Sequence, residues 1–116
     1  MDDIVRTAEQ VITLTHVRDY VAAMGMVDEN NPEELSGRLA EARTLLAEVA
    51  TTVTQPTTDD PIRAAEQVVT LEAARALTAE YVDVSVTETG RLLGHLMATE
   101  VQLMELNAAF GEAATT

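Results

Sequence analysis

RTAEQVITLTHVR, Arg6 to Arg18, returns as RAAEQVVTLEAAR, Arg63 to Arg75, with eight of thirteen positions identical. Several identities are polar, so a shared taste for apolar residues does not explain them. The match also extends beyond Arg18. At the same offset of 57, Leu35, Leu39, Ala42, Leu46, Val49 and Val53 fall on Leu92, Leu96, Thr99, Leu103, Leu106 and Phe110. Both sets are spaced 4-3-4-3-4, the period of a stripe along one helix face. Gly37 and Gly94 align as well. Two segments in one register predict a duplicated unit of 57 residues, and the repeat has to be read before the fold.

Each unit reads as two helices and a turn. Helix 1 is predicted over about Asp3 to Met24, stopped by Gly25 and the polar run Asp28-Glu29-Asn30-Asn31. Asn31 as N-cap, Pro32 at the first helical position and Glu34 as a capping-box partner start the second helix, which runs to about Thr54. QPTTDDP, Gln55 to Pro61, is the linker between units, and Asp60 caps a third helix that ends at Tyr81 or Val84. Ser85-x-x-Glu88 offers a capping box for the fourth, ending near Gly111. The β-branched run 82–86 is open to helix, loop or a short strand over 82–87. The expected fold is all-α, an antiparallel four-helix bundle in one domain, 1–116, built from hairpins 1–56 and 61–116. Two hairpins bury stripes that one alone leaves wet.

Composition narrows the partners. Twenty acidic residues face seven Arg and no Lys, for a net charge of −13. Phosphate neutralisation dominates nucleic-acid affinity, so nucleic acid is not an expected partner. The ten acids of residues 1–58 match ten in 59–116, an even spread that argues against one steering patch. Absent Lys with abundant Asp, Glu, Thr, Val and Ala resembles the composition of proteins from salt-loving archaea. A bacterium with a GC-rich genome also avoids Lys, but usually with more Arg, Gly and Pro. No Cys is present, which removes disulfides and thiolate chemistry. An acidic N-terminal stretch and no long apolar run lead to the expectation of a cytoplasmic protein with no membrane partner.

On a wheel of about 100° per residue, Arg6, Glu9, Gln10 and Thr13 fill one polar arc, and Arg63, Glu66, Gln67 and Thr70 repeat it. Ile4, Val5, Ala8, Val11, Ile12 and Leu14 take the rest of helix 1, and Ile62, Ala65, Val68, Val69 and Leu71 that of helix 3. The expectation is a narrow strip outside the core: a plain wet side with weak i,i+3 Arg–Glu pairs, or a twofold-related seam for a ligand or partner. Helix 4 carries more apolar surface than one stripe requires. Leu93, Met97, Val101 and Met104 form an adjoining face, expected to be an oligomer seam or the burden of a central helix. His16 and His95 do not correspond under the repeat, and neither spacing supplies the Glu-x-x-His pairs of a di-iron bundle. Glu33-Glu34 and Asp59-Asp60 sit at helix starts, where the macrodipole favours acids. No nucleophile elbow or phosphate loop is present.

The expected function is therefore a non-enzymatic interaction or assembly module, a homodimer or a partner of another protein, adapted to high salt, with no cofactor and no metal. Two alternatives stand beside it. One is a small-ligand binder or hydrolase using the repeated Arg/Glu/Gln strip; the other is an acidic mimic of nucleic acid that inhibits a basic protein.

Overall fold

A computed structural model describes residues 2–25 and 30–115, with side chains described for 4–25 and 30–111. Four helices follow one another: α1 (Asp2–Ala23), α2 (Pro32–Thr52), α3 (Pro61–Ala79) and α4 (Thr89–Thr115). There is no strand among the described residues, and the helices pack as a four-helix bundle. α4 packs on all three others. α2 packs on α1, α3 and α4, whereas α1 and α3 do not meet.

The core is the stripe predicted from the sequence. All twelve of its positions, Leu35 to Val53 on α2 and Leu92 to Phe110 on α4, are buried. Leu45 of α2, Leu14 and Val17 of α1, and Leu71 and Ala74 of α3 complete it. Phe110 is the largest of these side chains and 1% exposed. The aliphatic composition leaves it as the one aromatic ring fully inside, which concentrates packing on a single site.

The caps expected at two helix starts form. Asn31 Oδ1 accepts the Glu34 amide at 3.2 Å, and Asp60 Oδ1 accepts that of Ile62 at 3.0 Å. Each is followed by Pro at the first helical position. The fourth start differs from expectation. Ser85 Oγ accepts the Thr87 amide at 3.3 Å rather than that of Glu88, which donates to Ser85 O at 3.0 Å. This is a turn, and the helical ladder begins only when Leu92 donates to Glu88 O. Residues 82–87 are neither helix nor strand. α4 also continues past Gly111 to Thr115, because a lone glycine weakens a helix without ending it. The predicted stop at Gly25 holds, while 26–29 lie outside the described residues.

Candidate functional site

The repeated polar arc does not stay on one side. Gln10 is 9% exposed, Thr13 2% and Gln67 2%, all inside the bundle. Arg6, Glu9 and Glu66 face solvent, and Arg63 and Thr70 are half-buried. Conversely Ile4, Val5, Ile12, Ile62 and Val69, expected inside, are all more than half exposed. The wheel reading of α1 and α3 is thus corrected: their inward faces run Gln10-Leu14-Val17 and Gln67-Leu71-Ala74.

Backbone satisfaction explains why glutamine is drawn inward. Where the chain leaves α2, its amides have no helical acceptor. Gln10 Oε1 accepts the Thr54 amide at 3.0 Å, and Gln67 Oε1 accepts that of Thr57 at 2.8 Å. Gln67 Nε2 also donates to Thr57 Oγ1 at 3.1 Å and to Ala109 O, near the end of α4, at 2.9 Å. One side chain therefore ties the linker and α4 to α3. Arg75 finishes the same end of the bundle, donating to Ala50 O in the last turn of α2 and to Val53 O just past it. A cation there also suits the helix dipole. Thr13 and Thr70 do different work: Thr13 Oγ1 reaches Glu48 of α2 at 3.2 Å, while Thr70 Oγ1 turns back to Glu66 O.

From these contacts Gln67→Leu is expected to cost about 2 kcal/mol, since it keeps the volume but leaves the linker amide without its acceptor. Gln10→Leu, which removes one bond, is expected to cost about half as much. Urea midpoints of the two variants check this ranking; equal midpoints, both at the wild-type value, refute it.

A second polar cluster joins three helices. Arg38 Nη2 lies 2.7 Å from Glu100 Oε2, and the Tyr20 hydroxyl donates to the same oxygen at 2.6 Å. Arg38 Nη1 donates to Gly25 O at 2.9 Å, so the cluster also holds the chain where it leaves α1. The Arg38 and Glu100 side chains are 18% and 13% exposed. Burial, and then the hydrogen bond to Glu100, push the Tyr20 hydroxyl well above the usual tyrosine range. The bond to Glu100 likewise raises Arg38. Nothing in the spacing of Tyr20, Arg38 and Glu100 marks them as partners.

This cluster borders a cleft of about 840 Å³ between α1 and α2, whose walls include His16, Met24, Glu41 and Glu48. His16 Nδ1 stands 3.6 Å from Glu48 on the rim. A smaller cleft of about 520 Å³ collects Arg6 and Glu9 with Thr51, Thr52, Thr54 and Gln55. The exposed half of the polar arc thus meets the end of α2. Among the described residues, no three His, Asp or Glu side chains gather in a metal-holding group.

The expected oligomer face lies open on α4. Met97, Val101 and Met104 are 58%, 46% and 41% exposed, while Leu93 is half-buried and packs on the core. Helical phase continues this strip through exposed Ala108 and away from the side that meets α3, where Gln102 donates to Thr70 O. The strip therefore lies on the side of α4 toward α1, where Tyr20 reaches Glu100. Of the acids on this stretch of α4, Glu100 turns inward to Tyr20 and Glu105 stands at the edge. No helix among the described residues is long and apolar enough to cross a membrane.

Fold and face together define a small all-α bundle with an uncharged apolar strip on its central helix. Comparison with protein-family models, curated proteins and solved structures gave no match.

Proposed function

We propose that the chain is a non-enzymatic assembly module that pairs with a second copy of itself across α4. The observation that carries this reading is the open strip Met97, Val101, Met104 and Ala108, continued by half-buried Leu93, in a chain where 23% of residues are charged. Depletion of charge at the centre of an apolar patch is the compositional mark of a protein interface. The strip also suits a twofold. An antiparallel pairing with its axis beside Val101 sets Met97 against Met104 of the second copy, and Leu93 against Ala108. Every contact is then made twice, as an isologous dimer requires. A strongly charged partner would find no complementary side chain there.

The same reading takes the molecule as a duplicated hairpin. Exchanging α1 with α3 and α2 with α4 leaves the packing scheme unchanged. Gln10 and Gln67, 57 residues apart, are both buried on the inward faces of α1 and α3. The outward faces have diverged: the positions equivalent to Leu93, Met97, Val101 and Met104 are Ser36, Ala40, Thr44 and Ala47. One apolar seam remains per chain, which closes a dimer instead of propagating a fibre.

Val101→Cys tests the seam directly, because the chain has no other cysteine. Mild oxidation is expected to trap a disulfide dimer in high yield, and Cys at exposed Glu72 of α3 is expected to give little. Equal yields at both positions refute the seam. Two chains of −13 also repel, so pairing and melting temperature both rise as salt screens the carboxylates. Melts that coincide in dilute and molar salt contradict the salt-adapted reading.

A further inference from the structure

The cleft of about 840 Å³ between α1 and α2 is walled by matching faces of the two helices. His16, Asp19, Tyr20 and Ala23 of α1 follow the spacing i, i+3, i+4, i+7 of one helix side, and so do Glu41, Thr44, Leu45 and Glu48 of α2. The two faces run antiparallel, since His16 meets Glu48 whereas Gly25, past the end of α1, receives Arg38. At about 1.5 Å per residue, Glu41 and Glu48 are roughly 10 Å apart along the groove.

The floor is apolar. Leu45 is buried, and Tyr20 and Met24 are half-buried beside it. The charges above it are unbalanced. Arg38 is paired with Glu100 of α4, and Asp19 with its neighbour Arg18. The Glu48 carboxylate meets the Thr13 hydroxyl and, at 3.6 Å, His16. The Glu41 carboxylate has no ion-pair partner among the described residues. An anion is repelled here, and a neutral apolar molecule covers carboxylates without pairing them. A lone metal ion makes no use of the floor, and a helix is too wide for a groove of small-molecule size. An aliphatic chain ending in ammonium groups meets both demands. Its methylenes cover Leu45, Tyr20 and Met24 as a lysine stem covers apolar surface, and its ends reach carboxylates.

We propose that this groove binds a linear aliphatic di- or polyamine, with one ammonium group at Glu41 and another at Glu48. No described residue of α4 lines the groove, so the site does not need pairing through that helix.

Calorimetric titration of the whole protein with spermidine, in excess magnesium, tests the site. Magnesium is included because a chain of −13 attracts any polycation. One spermidine is expected to bind per chain, and ethylenediamine, too short to reach both carboxylates, about tenfold more weakly. Glu41→Gln and Glu48→Gln are each expected to weaken spermidine by about fivefold, while Glu72→Gln on α3 leaves it unchanged. Glu48→Gln keeps an oxygen for Thr13, and circular dichroism checks the fold. Thr44→Arg, at an exposed position on the wall, is expected to abolish binding and decides if either glutamine variant fails to fold. Absent binding, binding that magnesium removes, or equal losses in the groove variants and Glu72→Gln overturn the proposal. A lysine-rich peptide that binds the groove more tightly than spermidine also overturns it, in favour of a protein tail.

Discussion

Replacing Glu100 with alanine lowers the free energy of unfolding by about 3 kcal/mol, the scale for removing one member of a mostly buried ion pair. The loss exceeds that of an ordinary surface pair because Arg38 and Tyr20 both lose their acceptor. Arg38 keeps only its bond to Gly25 O. For a chain of this size the melting temperature falls by roughly 10 °C. Tyr20→Phe is milder, since Arg38 still balances the carboxylate. The cluster also has an alkaline signature. Burial and the Glu100 bond hold the Tyr20 proton in the folded state, so the folded pKa is raised. Its contribution is complete below the ordinary tyrosine pKa of about 10 and is lost as pH rises beyond it. Tyr20 and Tyr81, both raised by burial, are the only tyrosines and there is no tryptophan. Ultraviolet titration of tyrosinate therefore reads them without interference. Ionisation of both near the free-tyrosine value in the folded protein contradicts the cluster.

Phe110→Ala is expected to cost about 4 kcal/mol, as the cavity left by a fully buried ring adds to the lost transfer energy. Phe110 and Val53, 57 residues before it, are both buried. Phe110→Leu restores most of the volume and is expected to cost about 1.5 kcal/mol. Denaturant midpoints at unchanged slope measure both. Equal, small losses for the two variants would show that the ring is not the packing centre.

How far the sequence led depends on which contacts were local. Leu35 to Val53 and Leu92 to Phe110 were legible because a 4-3-4 stripe is a property of one helix. Asn31-Pro32 and Asp60-Pro61 were legible because a cap and its amide lie within three residues. α1 and α3 were harder, since both of their broad faces are apolar and counting apolar residues favours the wrong one. The overlooked signal was spacing: Gln10, Leu14 and Val17 repeat the 4-3 step of the core stripes, as do Gln67, Leu71 and Ala74. A polar letter in that register marks a buried hydrogen-bonding role. Tyr20, Arg38 and Glu100 had no such signal, because their separations of 80 and 62 residues become contacts only after three helices assemble. The α4 strip was legible as surplus apolar residues, but its openness depended on where the other helices packed.

The repeated RxAEQVxTL segment thus divides by depth. Its glutamine serves the fold in both copies, Arg6 and Glu9 of the first copy meet a shallow cleft, and Ile12 and Val69 are exposed. Self-association through α4 is the claim that binds these parts into a function. Static light scattering measures it most directly, on the wild type and on Met97→Glu/Met104→Glu at molar salt. The wild type is expected at twice the 12.5 kDa chain mass, and the double variant, folded by circular dichroism, at the single mass. A wild type that stays at the single mass, or a folded variant that stays at twice it, contradicts the account.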